Sequence, residues 1–311
     1  MPKLKLALLA GGNSSEREIS LFGAAQVLEA LDKAKYDITQ YDPKTDLARL
    51  VNDAANIDVA LIVMHGAQGE DGRIQGLLDL LDIPYQGSGV LGSAVAMNKL
   101  TAKHLYEQAN LPGARYRVIY KNMPNACADL AKELGLPLVI KPASAGSSVG
   151  VTIVEDAADI DVALNRAFAE DNCVLVEEYI KGTEITVGIL GNDALEALPV
   201  IEIVPNPEYL FFDYEAKYKS GATAEICPAR ISPELTRRAQ ELAKAAHRVL
   251  FCENYSRSDM IIRGNDIYLL ETNTIPGMTA NSLLPKAARA AGIEFPALLD
   301  KLVELALAKT D

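Results

Sequence analysis

The sequence predicts an α/β fold of three consecutive domains, the first of which contains a parallel sheet. A chain of 311 residues is long for one hydrophobic core, so two or three domains are expected. In residues 1–96, short apolar runs alternate with helical patterns, which is typical of parallel strands covered by helices. Residues 97–180 begin with a helical pattern and continue with strand patterns, and residues 181–311 add strands, a long helix and C-terminal helices.

Each element is predicted from the spacing of its apolar residues. Short apolar runs predict strands at LKLALLAG, DVALIVMHG, RYRVIY, LPLVIKPA, VGVTIVED, CVLVEEYI, EITVGILG, ALPVIEIV, SRSDMIIR and the segment that ends in LLETN. Apolar residues three and four positions apart predict helices at EISLFGAAQVLEAL, MNKLTAKHLYEQ and DVALNRAFAE. Ser232, Pro233 and Glu234 predict the start of the long helix, because they supply a cap residue, a first-position proline and a first-turn acid.

The composition indicates a cytoplasmic globular protein that has neither nucleic acid nor a membrane as its partner. A net charge of -12 argues against both partners, because both select basic surfaces. The first apolar run ends at Gly11 and Gly12 without a signal cleavage site, and no apolar run approaches the roughly 18 residues of a membrane span. Widely separated cysteines without a CxxC motif predict reduced, packed thiols at Cys127, Cys173, Cys227 and Cys252.

The segment LLETNTIPGMT places two oxygen-bearing side chains where a strand ends. Glu271 and Asn273 lie two residues apart, so both project from one face of the sheet. Asp259 lies in the strand pattern SRSDMIIR, and the three side chains converge if the two strands are neighbours. Such oxygen ligands suit Mg²⁺, which takes few protein ligands and completes its shell with water and phosphate. The spacing equally allows strand caps at Asp259 and Asn273 and a lysine partner for Glu271.

A second candidate site lies in PLVIKPASAGSSVGV. A strand delivers Lys141, and the loop that follows contains the small residues Gly146, Ser147, Ser148 and Gly150. Small residues allow backbone N–H groups to approach a polyanion, and the lysine supplies positive charge. The loop differs from the GxxxxGK[ST] motif because its lysine precedes the glycines and no helix follows. A glycine-rich hairpin is the alternative.

The segment VEEYIKGTE contains three acids close to a predicted strand end. The carboxylates of Glu177, Glu178 and Glu184 are suited to accept hydrogen bonds from an adenine amino group or ribose hydroxyls. Tyr179 offers a flat apolar face beside them. Surface acids in a hinge are the commoner explanation of such a run.

Two N-terminal segments also end strands with turn residues. In LLAGGNSSEREIS, Ser14 or Ser15 is expected to cap a helix with Glu16 in its first turn. In HGAQGEDG, His65 follows a strand at the sheet edge where open α/β sheets bind ligands. The GxGxxG fingerprint is absent, which argues against a dinucleotide-binding oxidoreductase.

In their order and spacing, these segments together resemble the D-alanine:D-alanine ligase family of the ATP-grasp superfamily. The resemblance covers essentially the whole chain, from GGNSSEREIS to LLETNTIPGMTANSLLPKAA. It implies a three-domain ATP-grasp architecture that binds ATP with two Mg²⁺ ions, or Mn²⁺ in their place. The implied reaction joins two D-alanines through an acyl phosphate for peptidoglycan synthesis, and hence for cell wall biogenesis and cell shape. A homodimer is also implied.

The resemblance assigns roles to individual residues. The implied metal ligands are Asp259, Glu271 and Asn273. The implied nucleotide-binding residues are Lys99, Lys141, Ser148, Glu177, Glu178, Tyr179, Glu184 and Lys217. The implied catalytic groups are Glu16, Ser147, Tyr218, Arg257 and the N–H of Gly277. The implied substrate-binding residues are His65, Ser282 and Leu283, and packing or loop support is the alternative for His65.

The roles of the catalytic groups also follow from the resemblance. Glu16 matches the acid that holds the first ammonium group, in a network with Ser147 and Tyr218. Arg257 and the Gly277 N–H match the groups that stabilise an oxyanion. In the segment EAKY, Tyr218 favours an amine over a D-lactate hydroxyl as the acceptor.

Two departures from the family pattern are local. The chain has MNK where MDK is common, which alters the residue before Lys99, and RSDM places Ser258 in a strand interior. Two alternatives remain: another carboxylate–amine ligase of the ATP-grasp superfamily, or a nucleotide-binding regulatory module without catalysis.

Overall fold

The computed structural model describes residues 2–123, 129–146, 149–205 and 223–308. The first sheet of the described chain is parallel, with β1 between β2 and β3. Its strands are β1 (Leu4–Leu9), β2 (Tyr36–Tyr41) and β3 (Val59–Ile62). Its flanking helices are α1 (Arg17–Ala30), α2 (Leu47–Asp53), α3 (Arg73–Leu80) and α4 (Val90–Met97), and a 3-10 turn covers Ala54–Asn56.

The second sheet is antiparallel and has the strand order β4-β7-β5-β6. Its strands are β4 (Tyr116–Tyr120), β5 (Leu138–Pro142), β6 (Thr152–Val154) and β7 (Cys173–Glu178). The helices in this part of the chain are α5 (Lys99–Gln108), α6 (Leu130–Leu134) and α7 (Ile160–Ala167), and a 3-10 turn covers Ala157–Asp159. The strand that carries Lys141 therefore lies beside the strand that carries Glu177.

The third sheet is also antiparallel, with the strand order β11-β10-β8-β12-β13 and β9 paired to β8. Its strands are β8 (Thr183–Leu190), β9 (Glu196–Ala197), β10 (Ile201–Pro205), β11 (Thr223–Ile226), β12 (Tyr255–Arg263) and β13 (Asp266–Asn273). The remaining described helices are α8 (Pro233–Val249), α9 (Leu283–Ala290) and α10 (Phe295–Leu307). The strands predicted around Asp259 and Glu271 are thus neighbours, as the metal hypothesis requires.

The hydrophobic cores join parts of the chain that are distant in sequence. Leu8 of β1 and Val27 of α1 belong to the same core as Leu298 and Leu302 of α10, so the C-terminal helices cover one face of the first sheet. Tyr106 of α5 packs in the core of the third sheet. Each sheet lies inside one of the predicted regions, while the boundaries at 96/97 and 180/181 stay a prediction.

Two helix starts depend on side-chain caps. Ser232 caps α8 by accepting a hydrogen bond from the Leu235 N–H at 3.2 Å, with Pro233 at the first position, as predicted. Asn98 caps α5 by accepting a hydrogen bond from the Thr101 N–H at 2.9 Å. Asn and Asp cap helices about equally well, so MNK in place of MDK preserves the start of the helix that carries Lys99.

Two further features of the described residues are the length and polarity of the helices and the state of the cysteines. Across the described ranges, every helix is too short or too polar to cross a membrane. Cys173, Cys227 and Cys252 are free thiols. Cys127 lies outside the described residues.

Candidate active site

A cavity of about 820 Å³ lies between α1, the end of α4, the start of α5, strands β12 and β13, and the segment that leads into α9. Its volume exceeds that of one amino acid and is typical of a small-molecule site. Nine of the predicted site residues line it: Glu16, His65, Lys99, Arg257, Glu271, Asn273, Gly277, Ser282 and Leu283. The fold therefore brings together residues that are separated by more than half of the chain.

Four predicted site residues fall outside the described residues. They are Ser147, Ser148, Lys217 and Tyr218. Their assigned roles stay predictions.

The candidate metal ligands lie on paired strands. Asp259 is opposite Glu271 in the ladder between β12 and β13, and Arg257 is opposite Asn273. Asp259 is buried and accepts hydrogen bonds from Arg257 Nε at 2.9 Å and Arg257 Nη2 at 2.8 Å. It also accepts bonds from Thr186 Oγ1 at 2.6 Å and Asn273 Nδ2 at 3.2 Å.

These side chains form a donor set that fits a hard divalent cation. Two carboxylates and one amide converge, and Glu271 Oε2 lies 3.7 Å from the Lys99 ammonium. No group of three or more His, Cys, Asp or Glu side chains suited to a metal occurs in the described part of the chain. The oxygen donor set itself fits Mg²⁺, which prefers oxygen ligands, takes few of them from the protein and completes its shell with water and phosphate. The Asp259–Arg257 pair means that any cation here shares Asp259 with a guanidinium.

The start of α1 differs from the prediction. The helix begins at Arg17 and Glu16 occupies the cap position without a capping hydrogen bond, so neither Ser14 nor Ser15 is the cap residue. Ser14 Oγ accepts a hydrogen bond from the Glu16 N–H, before the first helical residue, at 3.3 Å, and donates one to the carbonyl of His65 at 2.7 Å. The serine that was predicted to cap α1 thus ties the loop before α1 to the end of the strand segment at His65.

The buried Glu16 carboxylate lies against two loops that the sequence separates widely. A Cβ atom added at Gly66 would lie 2.7 Å from Glu16 Oε2, and one added at Gly146 would lie 3.0 Å from it. Gly66 has a φ of +68°, which glycine adopts at low cost. The glycines allow both loops to close around the carboxylate that is predicted to hold the first ammonium group.

Glu70 also lines the cavity and was not predicted as a site residue. Its Oε2 accepts a hydrogen bond from the Gly66 N–H at 2.7 Å, so Gly66 lies between Glu70 and Glu16. Burial, and next the negative charge of Glu16, raise the pKa of Glu70 to about 8. Glu70 is therefore mostly protonated at neutral pH in the unliganded protein.

Stability is expected to depend on pH through Glu70. Because its folded-state pKa is raised, its stabilising contribution is full below about pH 4.5 and is lost as the pH rises towards 8. The free energy of unfolding should change through this group by at most about 1.4 kcal/mol per pH unit. Glu70→Gln should flatten the fall in melting temperature between pH 6 and 8, measured by differential scanning calorimetry. Glu241→Gln, on an exposed face of α8, should keep the wild-type slope, and equal slopes for Glu70→Gln and wild type would contradict the assignment.

His65 is buried beside the same loop. Burial, and next the positive charge of Arg257, lower the pKa of His65 to about 4. The imidazole is therefore neutral at neutral pH, and it is better suited to hydrogen bonding than to charge stabilisation. Its role in substrate binding stays a prediction.

The N-terminus of α9 faces the cavity. Ser282 occupies the cap position, and its Oγ accepts a hydrogen bond from the Thr279 N–H at 3.1 Å. A Cβ atom added at Gly277 would lie 3.0 Å from Ser282 Oγ, so Gly277 and Ser282 are close neighbours. The first N–H groups of the helix and the helix dipole favour a negative group here, and a substrate carboxylate is of suitable size and charge.

The predicted nucleotide residues lie mainly outside this cavity. Lys141 Nζ is 2.9 Å from Glu177 Oε1, and both side chains are buried between β5, β7 and α5. Lys99 connects the two regions, because its Nζ donates a hydrogen bond to the Ala145 carbonyl at 2.7 Å and also lies near Glu271. Glu184 lies on β8, opposite Ile203 and Ile261 in the ladders.

Glu178 and Tyr179 have structural partners. Glu178 accepts hydrogen bonds from the Arg115 backbone N–H at 2.9 Å and from its Nη2 at 3.0 Å. The Tyr179 N–H donates to the Pro137 carbonyl at 3.1 Å. Their predicted contacts with a nucleotide stay predictions.

The fold and the site described above define the ATP-grasp class of ligases: a parallel α/β domain, two antiparallel sheets and a polar cleft that holds lysines and carboxylates together. Two family models match the chain: "D-ala D-ala ligase N-terminus" over residues 43–88 and "D-ala D-ala ligase C-terminus" over residues 105–304. The chain belongs to the D-alanine–D-alanine ligase family. The predicted fold class and family are thereby confirmed.

Individual relatives resemble the chain over nearly its whole length. The D-alanine–D-alanine ligase of Syntrophobacter fumaroxidans is 57% identical over 98% of both chains. The structure of a D-alanine–D-alanine ligase from Bacillus anthracis, complexed with ATP, has a TM-score of 0.86 and 36% identity and covers 98% of this chain and 97% of its own. The structure of the VanG D-Ala:D-Ser ligase from Enterococcus faecalis has a TM-score of 0.85 and 32% identity. The match covers 98% of this chain and 100% of that ligase chain.

Proposed function

We propose that the chain catalyses the ATP-dependent ligation of two D-alanines to D-alanyl-D-alanine, with release of ADP and phosphate. The observation that carries this proposal is the cavity in which Glu16, Arg257 and the N-terminus of α9 face one another. It supplies a negative group for an ammonium ion, a positive group for a developing oxyanion and a partly positive helix end for a second carboxylate. Family membership supports the same reaction.

In the first step, the carboxylate of one D-alanine attacks the γ-phosphate of ATP and ADP leaves. The product is an acyl phosphate, in which the attacking carboxylate oxygen is bonded to phosphorus and has become part of a good leaving group. Glu16 holds the ammonium group of this D-alanine, and Lys99 and Lys141 bind phosphate oxygens. Asp259, Glu271 and Asn273 would hold Mg²⁺, or Mn²⁺ in its place, which would neutralise charge on the phosphates.

In the second step, the amine of the other D-alanine attacks the acyl carbon and phosphate leaves. The Arg257 guanidinium and the Gly277 N–H stabilise the negative charge on the tetrahedral oxygen. Ser282 and the first N–H groups of α9, next to Leu283, bind the carboxylate of this second substrate. The ammonium group of the second D-alanine loses a proton before the attack, so the nucleophile is the free amine.

The biological setting follows from the product. D-Alanyl-D-alanine is a precursor for peptidoglycan, so the reaction serves cell wall biogenesis and cell shape. We place the enzyme in the cytoplasm, where ATP is available, and expect a homodimer. Gel filtration with light scattering tests the homodimer directly.

The function is tested by incubating the protein with ATP, Mg²⁺ and either D-alanine or L-alanine alone, or D-alanine together with D-serine or D-lactate. Phosphate release is measured, and products are identified by mass spectrometry. Release that depends on D-alanine, with D-alanyl-D-alanine as the product, is expected. A mixed product of D-alanine and D-serine as the main species would show that D-serine is the preferred second substrate. ATP binding without phosphate release in any mixture would contradict the ligase assignment.

A further inference from the structure

A third charged side chain lies against the buried pair of Lys141 and Glu177. Lys103 of α5 is 5% exposed, and its Nζ is 3.2 Å from Glu177 Oε1. Lys141 Nζ lies 2.9 Å from the same oxygen. Lys103 Nζ also donates a hydrogen bond to the Ala114 carbonyl at 3.3 Å and lies 4.9 Å from the centre of the Tyr116 ring. One buried carboxylate therefore has two ammonium partners.

The backbone brings the three groups together from three elements. Glu177 of β7 is opposite Val139 of β5, so Lys141, two residues further along β5, is its diagonal neighbour on the same face. Lys103 lies one helical turn after Lys99 on α5, and residues four apart project from the same side of a helix. The side of α5 that carries the phosphate-binding candidate Lys99 thus also supplies the second cation for Glu177.

The charges in this cluster do not cancel. Burial opposes ionisation of Glu177, but Lys141 and then Lys103 outweigh it and hold the pKa of Glu177 below its ordinary value. Two ammonium groups against one carboxylate leave one positive charge in excess, and burial lowers the pKa of Lys103 although the charge of Glu177 opposes this. An unbalanced buried charge is costly, so a site with this arrangement favours a negative ligand.

We propose that Lys103 is a positioning residue of the nucleotide site, which neutralises Glu177 so that Lys141 is free to bind a phosphate of ATP. The inference rests on the proposed function, which places the nucleotide against Lys141. With Lys103 present, Lys141 moves to the phosphates and Glu177 keeps a counterion. Without Lys103, Lys141 is the only buried cation beside Glu177 among the described residues, and its transfer to a phosphate leaves a buried carboxylate unpaired.

Lys103→Met tests this inference by removing the charge while keeping a long apolar side chain. The dissociation constant of ATP, measured by calorimetry, should rise about tenfold. The KM for D-alanine should stay within about twofold, because Lys103 does not line the cavity that holds Glu16. Lys244→Met is the matched control, since Lys244 forms an ion pair with Glu241 on α8 at 3.1 Å, and it should leave ATP binding unchanged.

A double-mutant cycle separates positioning from a general loss of structure. In a Glu177→Gln background, Lys141 is no longer held by a carboxylate, so adding Lys103→Met should change ATP affinity less than about twofold. An equal tenfold loss in both backgrounds, or no loss in the single variant, would overturn the proposal. If Lys103→Met alone fails to fold, the ATP affinities of Glu177→Gln and of the double variant are compared instead, because the double variant has no unpaired carboxylate. A tenfold difference between these two would overturn the proposal. Absence of ATP binding in the wild-type protein would instead refute the proposed function.

Discussion

Replacing Arg257 with alanine should lower kcat by about 10²- to 10³-fold, because the guanidinium is the main positive group placed to stabilise the tetrahedral oxyanion. The variant also leaves Asp259 without the two hydrogen bonds that Arg257 donates. The loss is expected in kcat more than in the KM values, since the developing charge exists only in the transition state. Steady-state phosphate release at saturating ATP and D-alanine measures it.

Arg237→Ala provides the control for this result. Arg237 forms an exposed ion pair with Glu234 on α8 at 2.9 Å, so its loss should leave kcat unchanged. A kcat for Arg257→Ala within threefold of the wild type would refute the oxyanion role. A matching loss in Arg237→Ala would show that the effect is not specific to the cavity.

Replacing Glu271 with glutamine should produce the second large effect. The change removes one of two carboxylates from the proposed Mg²⁺ site while preserving the shape of the side chain. Charge stabilisation by a bound cation amounts to several kcal/mol, which corresponds to a fall in kcat on the order of 10²-fold or more. The Mg²⁺ concentration for half-maximal activity should also rise, and a titration of activity against Mg²⁺ at fixed ATP measures both changes.

Glu241→Gln, on the exposed face of α8, serves as the control for charge removal and should keep the wild-type Mg²⁺ dependence. ATP affinity measured with excess chelator should be similar in Glu271→Gln and wild type, because the metal is then absent from both. An unchanged Mg²⁺ titration in Glu271→Gln would favour the alternative that Glu271 serves only as a partner for Lys99.

Most strands were predictable because they are short apolar runs that the fold buries, whereas β2, β9 and β11 were not predicted, because most of their residues are exposed or only partly buried. Val187 and Ile189 of β8, for example, are fully buried and lie in an apolar run that ends at a glycine. The pairing of strands was not predictable, because periodicity determines which face of a strand is buried but not which strand lies beside it. Only the structure places Asp259 between Thr186 of β8 and Glu271 of β13.

The candidate site was predictable where residues belong to a motif with a defined order. Glu70 and Lys103 were missed because their importance depends on burial and on distant partners. A carboxylate in the turn HGAQGEDG would ordinarily be exposed, and the raised pKa of Glu70 depends first on burial and next on the charge of Glu16 from another loop. The sequence indicates that Lys103 is a polar residue of a surface helix, and its partner Glu177 lies on β7, far away along the chain.

The central claim is that one cavity converts a D-alanine carboxylate into an acyl phosphate before the second D-alanine attacks. Supplying D-alanine with both carboxylate oxygens labelled by ¹⁸O tests it most directly, with the phosphate analysed by mass spectrometry. The mechanism predicts one ¹⁸O atom in each phosphate released together with the dipeptide, because the carboxylate oxygen that attacks ATP leaves with phosphorus. Phosphate without the label, formed at the same rate as D-alanyl-D-alanine, would contradict the acyl phosphate and with it the roles assigned to the cavity.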